Sequence, residues 1–192
     1  MKTLRFILLI VPILFSCQPK VAENKPKVKF GIYETVKTTD IPKHIVDTLK
    51  IFNIQPETDT SLSTVGYISK SDTQNLQLSY PDEGIRLLKT RYTVDYDGKY
   101  IALVAVKKVP MINNSEIQKA KAKNNMVEIH FNMDGARKFA ETTKKNVGNH
   151  LAFVVNDEVY SMPLVNGEIK CGIAIITPLP DNDTAKKLAA SL

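Results

Sequence analysis

The feature that most constrains the fold is a change of hydrophobic period between residues 126 and 148. Apolar and polar residues first alternate, placing Val127, Ile129 and Phe131 on one face, which is the period of a half-buried strand. Apolar or small side chains then recur at spacings of three and four, which predicts a helix over 134–147. Asp134 is expected to cap this helix and Gly148 to end it.

Three β-rich runs with turn signals between them follow the predicted helix, at 151–155, 159–163 and 169–177. A strand, a helix and then several strands form a compact unit that can close its own core. The predicted fold class is therefore α+β, with a mixed or antiparallel sheet and helices packed on one face.

The same stretch carries a specific pattern of residues: Asp134-Gly-Ala-Arg-Lys-Phe, Asn146-Val-Gly, Leu151-Ala-Phe-Val-Val, Val159-Tyr-Ser and Ile176-Thr. This pattern resembles the head of the first periplasmic domain of SecD, the membrane-embedded accessory subunit of the bacterial preprotein translocase. The resemblance covers roughly residues 110–192 and implies a SecD-head-like α+β domain over 109–192. The match is more specific for fold than for function, because function resides in sites rather than in folds.

Members of the SecD family continue past the head domain into a bundle of transmembrane helices. One of these helices carries an acidic residue that helps couple proton flow to export. No run after residue 177 is long and apolar enough to be such a helix. The last segment instead predicts a helix over 185–192 that opens at Asp181. We therefore expect this chain to lack the proton motor of the family.

The N-terminus has the anatomy of an export signal. Lys2 and Arg5 precede ten apolar residues at 6–15, a length typical of a signal peptide and too short for a spanning helix. Residues 1–16 are interpreted as a lipoprotein signal peptide, because Ser16 and Cys17 resemble the end of a bacterial lipobox. That resemblance implies cleavage before Cys17 and its acylation; ordinary signal cleavage that leaves an unmodified Cys17 is the alternative.

Residues 17–29 are polar, lysine-rich and contain proline, which predicts a lipidated, extended tether. Gln18 follows Cys17, and in enteric bacteria the absence of Asp there favours the outer membrane. The predicted localisation is the cell envelope, with an anchor in the outer membrane and the protein on its periplasmic side. If Cys17 is acylated, Cys171 has no intramolecular partner for a disulfide, and we interpret it as a small strand residue.

Residues 30–108 are predicted to form an N-terminal α+β lobe. Its expected elements are strands at 30–36 and 63–69, a helix at 41–52 capped by Asp40, a loop with a short strand at 76–80, and a hairpin of 85–94 with 100–106. Asp97 and Gly98 are the hairpin signal. Ser115 is expected to cap a short helix over 116–123.

Charge and motifs exclude several classes of function. The net charge of +6 falls to +4 without residues 1–16, and the lysines are scattered among acids, which argues against a nucleic-acid partner. Glu128 and His130 share a strand face, but a solvated pair is a better interpretation than a metal site, because the remaining ligands are missing. No phosphate-binding, dinucleotide-binding or nucleophile motif is present, so the sequence predicts no cofactor, no metal and no catalytic residue.

Two functions remain open. The first is a non-catalytic module, accessory to protein export, that binds an unfolded polypeptide or an envelope component through an open sheet edge or an apolar groove beside the helix. The second is a structural or regulatory lipoprotein that binds a folded envelope partner. An envelope hydrolase is a third class, and it lacks a nucleophile–base pair.

Overall fold

The computed structural model describes residues 28–49, 64–75, 79–91 and 98–192. Its elements in chain order are β1 (Phe30–Glu34), α1 (Lys43–Thr48), β2 (Thr64–Ser69), β3 (Ser79–Tyr80), β4 (Ile85–Thr90), β5 (Tyr100–Lys107), β6 (Ile112–Asn113), β7 (Ile117–Lys123), β8 (Met126–Phe131), α2 (Met133–Lys145), β9 (Leu151–Val155), β10 (Glu158–Ser161), β11 (Ile173–Ile176) and α3 (Asn182–Ser191). Short 3₁₀ turns lie at Thr38–Asp40, Lys70–Asn75 and Asn114–Glu116.

The strands form two sheets. The main sheet has the order β2-β5-β4-β10-β9-β1-β6, with β3 paired to β4, and the small sheet has the order β11-β8-β7. β10 and β4 run parallel, whereas the other pairs are antiparallel. The α+β fold class with a mixed sheet is therefore confirmed.

The main sheet curls so that the residues just after β1 reach β5, near the opposite edge of the sheet. The amide of Val36 donates to the carbonyl of Ala105 at 2.8 Å, and Thr35 bridges Val106. The concave face holds one apolar cluster: Tyr33, Leu88, Val104, Val106, Ala152, Val154 and Val159. The period-two alternation of the strands places the other side chains on the convex face.

Helices and the small sheet cover the convex face. Phe30 and Ile32 of β1 pack with Leu151, Phe153 and Val155 of β9 in a core that includes the small sheet, α2 and α3. A second core, under α1, contains buried side chains of β2, β4 and β5. The prediction that helices pack on one face is confirmed by this arrangement.

The segment after residue 115 differs most from the sequence prediction. Residues 117–123 form strand β7 and not a helix. Ala120 and Ala122 alternate with lysines and pack against the core, so the period is two, and six residues pair with β8. The cap also differs, because Asn113 and Glu116 form a capping box around the 3₁₀ turn.

Several other boundaries are corrected. Asn132, and not the expected Asp134, caps α2, because its side chain accepts from the amide of Gly135. Asp40 lies in a 3₁₀ turn and does not cap α1, which starts after Pro42. The predicted strand at 169–177 is shortened to β11, and Cys171 is an exposed residue in a bend before it.

The hairpin of β4 and β5 is confirmed by its antiparallel pairing, and Gly98 has a φ of +65°, which suits a tight turn. The last helix is confirmed with Asp181 as its cap. Parts of the predicted elements lie outside the described residues, namely 50–52, 76–78, 92–97 and everything before residue 28. The proposed boundary at 108/109 stays a prediction, and strands from both sides of it share the main sheet.

Glu116 connects the two sheets to α2. Glu116 is only 5% exposed. Its carboxylate accepts hydrogen bonds from the amide of Asn113 at 2.7 Å and from Nζ of Lys138 at 2.6 Å. Burial alone would raise the pKa of Glu116, but the bonds from Lys138 and Asn113 outweigh it and hold the pKa below its usual value.

We predict that Glu116→Gln lowers the free energy of unfolding by about 2 kcal/mol at pH 7, because the buried network loses its negative charge and one of its two acceptor oxygens. Folding lowers this pKa. The ionised Glu116 therefore contributes its full share to the free energy of unfolding above its unfolded pKa of about 4.3, and this contribution is lost as the pH falls through the folded pKa. Urea unfolding at pH 7 and pH 4 would show that the variant loses less stability at the lower pH than the wild type does. Glu141→Gln, which breaks an exposed pair with Arg137, is the control and should cost under about 0.5 kcal/mol; equal effects would contradict the prediction.

Candidate functional site

An apolar groove lies where the small sheet meets the main sheet. It has a volume of about 430 Å³ and is bounded by β11, by the segment from Pro163 to Ile169, by α2 and by β9. Phe139, Leu151 and Phe153 form its floor, and all three belong to the buried core. The groove is therefore an opening onto the hydrophobic core.

The rim of the groove keeps large apolar side chains in contact with solvent. Leu164, Ile169 and Ile175 line the groove and are 45%, 37% and 43% exposed. Contiguous exposed apolar surface of this kind typically marks an interaction site. Leu164 has no hydrophobic period around it in the sequence that would mark it, whereas Ile169 was expected to begin a strand and lies in irregular chain in the structure.

Hydrogen bonds fix the segment that forms the far wall of the groove. The amide of Ile169 donates to the hydroxyl of Thr143 at 2.9 Å, and that hydroxyl donates to the carbonyl of Phe139 at 2.8 Å. The amide of Gly148 donates to the carbonyl of Val165, also at 2.9 Å. The wall is thus held to α2 and to the residues after it.

The backbone of β11 is open on the groove side. The amide of Phe131 donates to the carbonyl of Gly172 at 2.9 Å, and these residues face each other in the register of β11 with β8. Hydrogen-bonded and non-bonded pairs alternate in an antiparallel ladder. Ile173 and Ile175 therefore direct their N–H and C=O groups away from β8, and no described strand pairs with that edge.

The opposite edge of the small sheet is protected. β7 carries Lys119, Lys121 and Lys123, and charged side chains, lysine above all, discourage pairing at a strand edge. β11 consists of Ile-Ala-Ile-Ile and carries no charge. The two edges therefore differ in their capacity to accept another strand.

The residues that carried candidate chemistry do not assemble a reactive site. Glu128 and His130 bond to each other on the outer face of the small sheet. Among the residues that the structure describes, no three His, Cys, Asp or Glu side chains are grouped to hold a metal ion. Cys17 lies outside the described residues, and Cys171 is exposed.

The family model and the curated relatives that match this chain point to the same family. The family model described as "SecDF, P1 head subdomain" matches residues 87–192, which extends the resemblance upstream to β4. Protein translocase subunit SecD of Rickettsia typhi is 33% identical over 103 residues, which is 51% of this chain and 20% of that protein. SecD of Rhodothermus marinus is 32% identical over 117 residues, which is 57% of this chain and 19% of that protein.

The chain therefore spans about a fifth of the length of these curated relatives. A solved structure titled "Structure and function of a membrane component SecDF that enhances protein export" aligns with a TM-score of 0.48 at 17% identity, covering 86% of this chain and 61% of that one. In the described part of the chain, none of the helices has the length and hydropathy required to traverse a bilayer.

Gly172 sets the position of the open edge strand against α2. Its φ is +66°, and a Cβ there would lie 2.7 Å from Cβ of Ala136. We predict that Gly172→Ala lowers the free energy of unfolding by about 1–3 kcal/mol, because the variant combines a strained backbone with a steric clash. Gly167→Ala has no atom within 4 Å of the added carbon and should change stability by less than about 0.5 kcal/mol. Urea unfolding of both variants tests this, and equal stabilities would refute it.

Proposed function

Because the chain belongs to the SecDF P1 head subdomain family through residues 87–192, we propose that it is a non-catalytic, polypeptide-binding module accessory to protein export. The observation that carries this proposal is the apolar groove beside the outer edge of β11, with which no strand of the described residues pairs. The ligand is an extended segment of an unfolded chain on the periplasmic side of the envelope.

Binding proceeds by strand addition. The outward N–H and C=O groups of Ile173 and Ile175 pair with the backbone of the incoming segment, which gives affinity without dependence on sequence. The side chains of an added strand alternate between two faces. One set lies beside Ile173 and Ile175 on the open face, and the other enters the groove toward Phe139 and Phe153.

This arrangement selects the chemistry of the ligand. On one face the added strand would lie next to Ile173 and Ile175, and on the other it would meet the apolar groove, so segments with consecutive apolar residues bury the most surface, at about 25 cal/mol per Å². Such segments are buried in folded proteins and exposed in unfolded ones. The site would therefore distinguish a chain that has not folded from its native form.

We also propose that the protein is anchored to the envelope by acyl chains on Cys17. Acyl chains contribute about 0.8 kcal/mol for each buried methylene, and stable anchoring requires more than one chain or a second signal. The residues before 28 would then form the signal peptide and the tether that the sequence predicts. No cofactor or bond-making step is part of this proposal.

A binding experiment can separate the backbone contribution from the side-chain contribution at Ile175. We predict that Ile175→Ala weakens binding of a fluorescently labelled, reduced and unfolded exported protein by about threefold, and that Ile175→Pro weakens it by a further factor of about ten. Proline removes the outward N–H but leaves the bonds to β8 intact, and an unmade hydrogen bond costs about 1–3 kcal/mol.

The control is Val147→Ala, because Val147 is 51% exposed and does not line the groove. Fluorescence anisotropy with the wild-type chain should saturate below about 100 μM, a weak but specific affinity. Binding of the native protein but not of its unfolded form would favour the alternative function, a structural or regulatory lipoprotein with a folded partner. Equal affinities of the alanine and proline variants would refute strand addition.

The anchor is tested separately. We predict that Cys17→Ser moves the protein from the membrane fraction to the soluble fraction of cells, because acylation needs the thiol. Mass spectrometry of the wild-type protein should find acyl groups on a mature N-terminus at residue 17. Cys171→Ser is the matched control and should stay in the membrane fraction; an unmodified Cys17 in the wild-type protein would refute the anchor.

A further inference from the structure

A second cleft lies at the other end of β9 from the apolar groove. It has a volume of about 370 Å³ and is formed where α3 faces the turn between β9 and β10. Its lining residues are Val28, Arg91, Val155, Asn156, Tyr160, Thr184, Lys187, Leu188 and Ser191. None of the nine is acidic, and six carry polar or charged side chains.

α3 presents a mixed face to this cleft. Thr184, Lys187, Leu188 and Ser191 recur at the spacing of one helical face. Leu188 anchors that face in the core, whereas Thr184 and Lys187 carry polar groups beside it. The helix therefore places an ammonium group and two hydroxyls at the same opening.

The cations exceed the carboxylates around the cleft. Nη1 of Arg91 donates to Glu158 at 2.9 Å, and this bond holds the guanidinium beside the cleft. Lys187 forms no ion pair with any carboxylate of the described residues, whereas its neighbour Lys186 pairs with Asp183 at 3.5 Å.

Nearby side chains add to this excess. Asp157, at the turn between β9 and β10, is shared by Arg86 at 2.8 Å and Lys29 at 3.4 Å. Arg86 donates a hydrogen bond that lowers the pKa of Asp157. Asp181 also belongs to this set, because its carboxylate interacts with the charge of Lys187 and accepts from the amide of Thr184 at 2.6 Å. Together with Arg91, Lys187 and Glu158, these groups give four cations and three carboxylates.

Asn156 supplies a neutral donor to the same cleft. Its Oδ1 accepts from the amide of Lys29 at 2.9 Å, which fixes the orientation of the side-chain amide. Its Nδ2 has no hydrogen-bond partner among the described residues. An ammonium, a guanidinium and an amide thus converge on one small volume.

We propose that this cleft binds a phosphate group. Arginine and lysine are the residues that proteins use for phosphate, and a phosphate offers more acceptor oxygens than a carboxylate to a set of several donors. Val28, Val155 and Leu188 supply an apolar wall, so the group would be carried on a molecule with an apolar part. A lipid headgroup and a soluble phosphorylated compound share this chemistry.

The test compares two adjacent lysines in the full chain. Inorganic phosphate and acetate are titrated while NMR follows the side-chain amide of Asn156 and the amide of Thr184. We expect saturable shifts with phosphate, with a Kd of the order of millimolar, and at least fivefold weaker binding of acetate. Lys187→Gln should weaken phosphate binding about tenfold, because the variant loses a charge-assisted hydrogen bond to the phosphate. Lys186→Gln, with the same change of charge, should have less than a twofold effect.

Vesicles identify the source of the phosphate group. Cosedimentation with phosphatidylglycerol and with phosphatidylcholine vesicles is compared for the wild type and both lysine variants, because the N-terminal apolar segment contributes equally to all of them. A loss of phosphatidylglycerol binding in Lys187→Gln alone assigns the cleft to a lipid headgroup. Saturable phosphate binding without that loss assigns it to a soluble compound. Equal effects of the two substitutions on phosphate binding, or shifts that do not saturate by about 100 mM, would overturn the proposal.

Discussion

The pairing of β1 with β9 is the constraint on which the rest of the molecule depends. Five residues of β1 pair antiparallel with five of β9, from Phe30 with Val155 to Glu34 with Leu151, across more than one hundred residues of chain. β1 also pairs with β6 and bridges to β5 beyond its end. β1 thus lies inside the main sheet between β9 and β6, and the core on the convex face is built from residues far apart in the sequence.

The groove is a consequence of that core. The floor residues Leu151 and Phe153 come from β9, and the wall before Ile169 is held by Thr143 of α2. α2 is itself fixed by Lys138 bonding to Glu116 and by Asn146, whose side chain donates to Glu34 of β1 at 3.1 Å. The apolar opening therefore rests on elements that hydrogen bonds and core packing hold in place.

Most of the regular elements could be predicted because their periods are clear, and the errors occurred where local signals conflict. Residues 117–123 contain lysine and alanine, which favour helices, but β8 offers a hydrogen-bonding partner, and tertiary pairing prevailed. The sequence indicated an apolar groove beside the helix but not its residues, since Leu164 and Ile175 come together only through the packing of two sheets. The charged cleft was hidden, because Arg91 and Lys187 are almost one hundred residues apart.

The unequal edges of the small sheet determine the side on which it can be extended. Lysines along β7 disfavour pairing there, whereas β11 carries no charge and no described strand pairs with its outer edge, so an added strand would be accepted only beyond β11. A protein that holds unfolded chains by their backbones risks seeding fibrils from them. The basic edge confines any such growth to one side of the sheet, and repulsion between its lysines disfavours the pairing of two copies through β7.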